Sequence, residues 1–244
     1  MMKLLIVAGH GAGDAGACAL GLQEHELNVE VAYALYTELK DKVDVTLYDT
    51  RKNLYKELKA GNYGEIAGYT DIIEVHFNAC VQDLKGDGRS TGTEILVHKA
   101  KYDAKDIELE EKLLRELCDC GWKNRGVKPR SDLQNMNICY KRGINYFLIE
   151  MCFIDDKDDI DIYSQFKSWN TEVFADTLLD HWGVSMSNLG FVRYNTIEEV
   201  PSWGKETVNR LLKLGHLKGD SEGLNLSYDM LRLLVINYRA GLYD

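Results

Sequence analysis

The chain has 244 residues, of which 45% are hydrophobic, and this length suits one large domain or a medium domain with a small one. Its formal net charge of −10 argues against a nucleic-acid-binding protein, because such proteins collect Lys and Arg on one face. No apolar run approaches the length of a membrane span, and six cysteines without an export signal indicate reduced thiols. We therefore expect a globular protein that binds neither nucleic acid nor membrane.

The first predicted strand is the apolar run Leu4–Ala8, which ends in a Gly-His10-Gly turn and a loop of small residues. The run is too short for a secretory signal, so we expect a protein that is made in the cytoplasm. A helix follows from Glu24, and its buried face is marked by apolar residues at helical spacing: Leu27, Val31, Leu35 and Leu39. Glu24 lies at the centre of this apolar stripe, whereas Glu26 lies on the opposite side of the helix.

A carboxylate on the buried side of a helix needs a cation or several donors to offset its desolvation. Two later apolar runs end in His76 and Glu150. Because the functional crevice of a parallel sheet lies beyond the carboxyl ends of its strands, we expect His10, His76 and Glu150 to converge. Two neutral imidazoles do not offset the charge of Glu24 unless a metal ion lies between them, and two His with one Glu suit zinc. The sequence therefore predicts a zinc site formed by His10, Glu24 and His76.

Less specific interpretations of the same residues stay open. A lone His at a strand end is commonly a hydrogen-bonded residue of the core or rim, and a Gly-rich turn is often only a tight turn. Cys18 and Cys80 are alternative ligands near the predicted site, although neither belongs to a paired Cys motif, and small buried cysteines are the simpler account. Glu94 either supports the site from a neighbouring strand or is exposed.

The remaining elements of the first 182 residues alternate between strands and helices. We predict further strands at 43–48, 93–98, 133–140 and 144–153, and helices at 53–59, 107–118 and 158–182. The strand that carries His76 is followed by a long polar loop, residues 82–92, which is a candidate substrate lip. This alternation predicts an α/β fold with βαβ units.

The composition changes near residue 183, where a small and polar stretch predicts a linker over residues 184–198. Residues 1–183 then form the first domain, and residues 199–244 form a leucine-rich helical hairpin. This hairpin has six acidic and six basic residues, so it is neutral and a poor DNA binder. A segment of this length has a marginal core, and we expect it to pack on a copy of itself or on the first domain.

Three separated blocks of the chain resemble the zinc-dependent N-acetylmuramoyl-L-alanine amidases of bacterial and phage peptidoglycan hydrolases. They are Val7-Ala-Gly-His10-Gly with Glu24 and Asn28, Glu74-Val-His76-Phe-Asn78-Ala, and Leu148-Ile-Glu150-Met-Cys-Phe153-Ile. The resemblance covers residues 1–183 and implies zinc held by His10, Glu24 and His76, with Glu150 as the catalytic carboxylate. It also implies a mostly parallel twisted sheet of about six strands flanked by helices. The substrate of the family is the amide that joins N-acetylmuramic acid to the L-alanine of the stem peptide.

Residues 199–244 resemble the wall-anchoring helical segments of Gram-positive lysins and, more distantly, one S-layer-homology repeat. The matching stretches are Pro201-Ser-Trp203-Gly-Lys-Glu-Thr-Val208 and Leu217-Lys-Gly-Asp220. With reduced cysteines and no secretory signal, the two resemblances imply a phage or prophage endolysin that a holin releases onto the Gram-positive cell wall. The small all-α module would then bind a wall polymer or associate with itself.

Other functions use the same residues differently. Another zinc-dependent wall hydrolase, such as a stem-peptide peptidase or a sugar deacetylase, is an alternative because the same zinc chemistry can hydrolyse any amide bond. A non-catalytic wall-binding protein is a second alternative, which an intact Glu150 disfavours, and a Cys-His peptidase using Cys80 or Cys18 is a third. Glu150 itself is either a structural carboxylate paired with Arg or main-chain donors, or a proton carrier whose pKa is raised by apolar neighbours such as Ile149 and Met151.

Overall fold

The computed structural model describes residues 2–11, 13–80, 82–103, 105–184, 193–219 and 223–243. The chain divides into two compact units, Met1–Trp182 and Gly183–Asp244. Most of the predicted linker, residues 185–192, lies outside the described residues. Within the ranges given above, no helix is long and apolar enough to cross a membrane.

The first unit is an α/β domain. Its elements are β1 (Leu4–Ala8), β2 (Cys18–Ala19), β3 (Leu22–Gln23), α1 (Glu24–Leu39), β4 (Val45–Leu47), α2 (Leu54–Lys59), β5 (Asp71–Asn78), β6 (Thr93–His98), α3 (Glu108–Cys118), β7 (Asn124–Arg130), α4 (Gln134–Lys141), β8 (Asn145–Phe153) and α5 (Lys157–His181). Six strands form one sheet in the order β4-β1-β5-β8-β6-β7. All neighbouring pairs are parallel except β8 and β6, which are antiparallel. The predicted mostly parallel sheet of six strands is therefore confirmed.

The sheet is covered by helices on both faces. On one face, α2 and α4 bury a cluster of apolar residues against it: Leu5, Val7, Leu54, Leu58, Ile72, Leu96, Met136, Cys139, Tyr146 and Leu148. On the other face, α5 packs its Tyr163 on Phe77 of β5 and its Phe174 on Phe147 of β8. Burial on both faces explains why the central strands are nearly continuous apolar runs.

One prediction about local structure was wrong, and one strand was not predicted. Residues 133–140, predicted as a strand, form helix α4 instead, and its buried side chains Asn135, Met136 and Cys139 recur at the spacing of one helical face. Strand β7 was not predicted. Its sequence NRGVKPR has no apolar alternation because β7 is the edge strand of the sheet, where Lys and Pro are common.

The second unit contains the two predicted helices, α6 (Ser202–Leu214) and α7 (Tyr228–Arg239). It also contains an antiparallel pair that the sequence did not predict, β9 (Arg193–Tyr194) with β10 (Leu226–Ser227). The helices are in close contact at Gly204, where an added Cβ would lie 2.8 Å from Leu231 Cδ1. Helix α7 leaves three apolar side chains exposed: Met230, Leu233 and Ile236.

Candidate metal centre

Three acidic or imidazole side chains lie in one row across neighbouring strands of the sheet. His76 of β5 pairs in register with Glu150 of β8, and Glu150 pairs in register with Glu94 of β6. Residues in register on adjacent strands project from the same face, so the three side chains point in one direction. His10 follows the end of β1, the strand beside β5. The structure therefore brings the predicted strand-end residues to one edge of the sheet.

Glu24 joins the two histidines. It is the first residue of α1 and only 5% exposed. One carboxylate oxygen, Oε2, lies 3.0 Å from His10 Nε2, and the other, Oε1, lies 2.9 Å from His76 Nδ1. The backbone N–H of Ala17 also donates to Oε2. The donor atoms of His10, Glu24 and His76 lie within 4.8 Å of one another, so the three residues form a group that could hold a metal ion.

The ionisable groups of this cluster shift each other's pKa. Burial opposes ionisation of Glu24, but hydrogen bonds with His10 and His76 outweigh it, and the pKa of Glu24 lies well below its usual range. The hydrogen bond with Glu24 raises the pKa of His10. Burial lowers the pKa of His76, but the hydrogen bonds with Glu24 and Glu74 raise it by more, so the pKa of His76 lies above its usual value. The cluster therefore holds Glu24 as a carboxylate, the form that binds a cation.

The backbone around the cluster leaves no room for larger residues. His10 has a φ of 65°, which is unusual for a residue other than glycine and is a form of strain found at functional sites. A Cβ at Gly9 would lie 2.3 Å from the His76 ring, and a Cβ at Gly16 would lie 2.5 Å from Glu24 Oε2. These two glycines are needed because the backbone approaches the site closely, and not only because the chain turns there.

Glu150 lies next to His76, and no Lys or Arg of the described ranges forms an ion pair with it. Its Oε2 atom is buried and receives no hydrogen bond from any residue in the described ranges. Burial, together with the negative charges of Glu24 and Glu94, raises the pKa of Glu150 to about 7, although His76 opposes the shift. The interpretation of Glu150 as a structural carboxylate paired with Arg therefore has no support in this geometry.

Glu94 is buried, at 6% exposed, and belongs to the surroundings of the site. Its Oε2 accepts hydrogen bonds from Arg125 Nε at 2.6 Å and from Lys128, and its Oε1 accepts one from Asn78. Burial opposes ionisation, but the hydrogen bonds from Lys128 and Arg125 outweigh it and lower the pKa of Glu94. Of the two interpretations left open by the sequence, the supporting role is the one that agrees with the structure.

The sequence pattern that defines the Amidase_3 family, described as N-acetylmuramoyl-L-alanine amidase, matches residues 4–171. This chain belongs to that amidase family. The match begins with β1 and reaches into α5, so it includes all six strands of the large sheet and each residue of the candidate site.

Individual relatives agree with the family. The probable autolysin PH of Staphylococcus aureus is 29% identical over 176 residues, which are 65% of this chain and 34% of that protein. The N-acetylmuramoyl-L-alanine amidase CwlM of Bacillus licheniformis is 27% identical over 166 residues, which are 65% of this chain and 59% of that protein. The matched region thus spans about a third to three fifths of the length of these relatives.

Solved structures share the fold. The catalytic domain of the CD27L endolysin targeting Clostridia difficile superposes with a TM-score of 0.58 at 25% identity, covering 74% of this chain and 98% of that domain. The CwlD amidase from Clostridioides difficile, solved with the GerS lipoprotein, gives a TM-score of 0.60 at 20% identity, covering 76% of this chain and all of that one. The α/β architecture is therefore that of the amidase family.

Other nearby side chains that can bind metal ions lie outside the metal-binding group. His25 is adjacent in sequence to Glu24, but its Nδ1 lies 3.1 Å from the carbonyl oxygen of Gly9. Cys18 and Cys80 are free and exposed, and the group formed by His10, Glu24 and His76 includes neither of them. The candidate metal site, as far as the described residues define it, consists of imidazole and carboxylate groups.

The polar loop after β5 is anchored by the start of α5. Asp158 Oδ2 accepts hydrogen bonds from the backbone N–H groups of Asp87, Gly88 and Arg89, and Asp159 accepts one from Gly92. The loop joins the end of β5 to the start of β6, so it borders the edge that carries His76 and Glu94. The loop was expected from the sequence, but its hydrogen bonds with Asp158 and Asp159 were not, because acidic residues at the start of a helix are also explained by capping of that helix.

Proposed function

We propose that the first unit is a zinc-dependent peptidoglycan hydrolase that cleaves the amide between N-acetylmuramic acid and the L-alanine of the stem peptide. One observation carries the proposal, namely that the group formed by His10, Glu24 and His76 lies beside the carboxylate of Glu150, whose buried Oε2 receives no hydrogen bond from the part of the chain that the structure describes. Membership of the amidase family supports the choice of substrate.

The three donors fit zinc by their chemistry. Two imidazole nitrogens and one carboxylate oxygen are a common ligand set of hydrolytic zinc sites, which leave one position for water or substrate. The hydrogen bonds to the Glu24 carboxylate come from imidazoles and backbone N–H groups, and no Lys or Arg in the described ranges pairs with it. Zinc held there would act as a Lewis acid that polarises the amide carbonyl and acidifies water.

Glu150 would move the proton. As general base it takes a proton from the attacking water, and as general acid it returns that proton to the nitrogen of L-alanine when the C–N bond breaks. A new C–O bond leaves a lactyl carboxylate on the sugar and a free amino terminus on the peptide. The buried oxygen of Glu150 is available for this role because none of the described residues donates a hydrogen bond to it.

The proposal is tested by identifying which bond of peptidoglycan is cleaved. We would digest purified peptidoglycan with the full-length chain and follow the new groups. Release of N-terminal alanine without new reducing sugar is the expected result. Acetate would instead indicate a deacetylase, other amino termini a stem-peptide peptidase, and the absence of any product a wall-binding protein. Loss of activity with a chelator and resistance to iodoacetamide would distinguish a metal hydrolase from a cysteine peptidase.

We infer further that the chain acts as an endolysin whose second unit anchors it to the Gram-positive wall or associates with itself. The similarity to the catalytic domain of an endolysin supports this role. In the second unit, the exposed apolar side chains of α7, Met230, Leu233 and Ile236, offer a surface for a wall polymer or another copy. On this proposal the protein accumulates in the bacterial cytoplasm and reaches the wall when a holin releases it.

A further inference from the structure

The ring of His76 lies between two carboxylates. Its Nδ1 atom is 2.9 Å from Glu24 Oε1, and its Nε2 atom is 3.1 Å from Glu74 Oε1. Glu74 is 5% exposed and lies two residues before His76 on the same face of β5. Its second oxygen, Oε2, accepts hydrogen bonds from the Tyr146 hydroxyl at 2.6 Å and from the Asn135 amide at 3.0 Å. Two partners, Tyr146 and Asn135, therefore hold the Glu74 carboxylate in place against the imidazole.

His10 has the same arrangement. Its Nε2 atom is 3.0 Å from Glu24 Oε2, and its Nδ1 atom is 3.3 Å from Asp14 Oδ1. Asp14 is held in turn by the backbone N–H of Gly16 at 3.2 Å and by the Asn53 amide at 3.3 Å. The difference is one of burial, because the side chain of Asp14 is 40% exposed whereas that of Glu74 is 7% exposed.

A neutral imidazole carries one N–H group and one lone pair, and a carboxylate can only accept a hydrogen bond. Each ring has Glu24 at one nitrogen and an outer carboxylate at the other, so a cation shared with Glu24 would take the lone pair of the inner nitrogen while the outer carboxylate accepts the N–H of the other nitrogen. The two outer carboxylates thus hold the orientation of each ring, with its inner nitrogen directed at Glu24.

We propose that Glu74 and Asp14 are positioning residues that hold Nδ1 of His76 and Nε2 of His10 as lone-pair donors toward a cation shared with Glu24. This inference rests on the proposed metal site. Glu74 has the larger effect on its imidazole because it is buried and fixed by Tyr146 and Asn135, whereas water competes with His10 for hydrogen bonds to the exposed carboxylate of Asp14.

The test uses the full-length chain with Glu74→Gln and Asp14→Asn, which keep the side-chain shape but remove the carboxylate. In zinc-free protein, ¹H–¹⁵N NMR of the imidazoles reports the hydrogen-bonded N–H groups of each ring, and competition with a chelator then gives the zinc affinity. We expect Glu74→Gln to shift or broaden the Nε2–H signal of His76 and to weaken zinc binding by about 10- to 100-fold. Asp14→Asn should shift the His10 signals and weaken zinc binding less. Asp132→Asn, at an exposed ion pair with Arg130, is the matched control and should change neither.

Several outcomes would overturn the inference. A folded Glu74→Gln chain with unchanged His76 signals and wild-type zinc affinity is one. If circular dichroism shows that Glu74→Gln is unfolded, Asp14→Asn decides, and unchanged His10 signals with unchanged affinity then contradict the inference. If the wild-type chain binds no zinc, the proposed metal function fails, and the imidazole N–H signals of the zinc-free variants alone decide whether the carboxylates position the rings.

Discussion

His76 and Glu150 lie side by side in the register of β5 and β8, one as part of a group that could hold a metal ion and the other with a buried oxygen that no described residue contacts with a hydrogen bond. The sheet register thus fixes the separation between the proposed metal ligand and the proposed proton carrier. Neither residue depends on a loop for its place, and sites built on strands are held more rigidly than sites on loops.

The first prediction concerns the ligand set. His76→Ala should abolish the binding of one zinc ion per chain, because it removes a nitrogen donor that no neighbouring group replaces. His25→Ala is the matched control, since His25 is beside Glu24 in sequence but contacts the carbonyl oxygen of Gly9. Elemental analysis of both purified variants measures the metal. Full zinc content in folded His76→Ala would remove this residue from the ligand set.

The second prediction tests the close approach of the backbone to the site. Gly9→Ala should displace the His76 ring, because the added Cβ would lie 2.3 Å from Cε1 and Nε2 of that ring. We expect a folded protein that has lost most of its zinc affinity and activity. Gly64→Ala is the control, because a Cβ there meets no atom within 4 Å. If Gly9→Ala binds zinc like the wild type, the ring is not confined as described.

Residues in periodic segments could be placed from the sequence. The positions of Glu24 and His76 were predictable because the apolar stripe of a helix fixed the direction of Glu24 and the end of an apolar strand fixed that of His76, and both indicated the same edge of the sheet. The contact of Glu74 with Asn135 was not predictable, because Asn135 lies on helix α4, whose sequence was interpreted as a strand. The pairing of Glu94 with Arg125 was also missed, since the polar edge strand β7 carries no alternating apolar pattern.

The third prediction concerns stability and pH. Burial raises the pKa of Glu110, in the first turn of α3, from 4.5 to about 7. A carboxyl whose pKa is raised on folding stabilises the fold below its unfolded pKa, and this contribution is lost as the pH rises through 7. Glu110→Gln cannot ionise, so its stability relative to wild type should increase between pH 5 and pH 8 by about 1–3 kcal/mol.

Urea unfolding at the two pH values measures the difference. Glu111→Gln, a change at an exposed acidic residue in the same turn, retains Glu110 and serves as the control, and its stability relative to wild type should differ little between the two pH values. Equal stabilities of Glu110→Gln and wild type at both pH values would contradict a buried carboxyl at this position.

The fourth prediction concerns the second unit. A chain that ends at Gly183 retains all six strands of the large sheet and the metal-binding group, so it should fold and cleave soluble muropeptide. It should lose binding to intact walls in a sedimentation assay, or change its oligomeric state in light scattering if α6 and α7 mediate self-association. If the truncated chain is unfolded, residues 184–244 are needed for the stability of the first unit, and the proposed separation into a catalytic unit and a wall-binding unit would be wrong.

The last prediction separates the metal from the proton carrier. Glu150→Gln keeps the shape of the side chain but cannot accept a proton, and the residue is not part of the metal-binding group. Zinc should therefore stay bound, while release of N-terminal alanine from peptidoglycan falls by a factor on the order of 10² to 10⁴, the usual contribution of a general base. His76→Ala, by contrast, should lose zinc and activity together. Zinc content and alanine release, measured on the same preparations, thus give two independent results. Near wild-type release by Glu150→Gln would remove Glu150 from the mechanism, because a glutamine at this position has no means of carrying the proton.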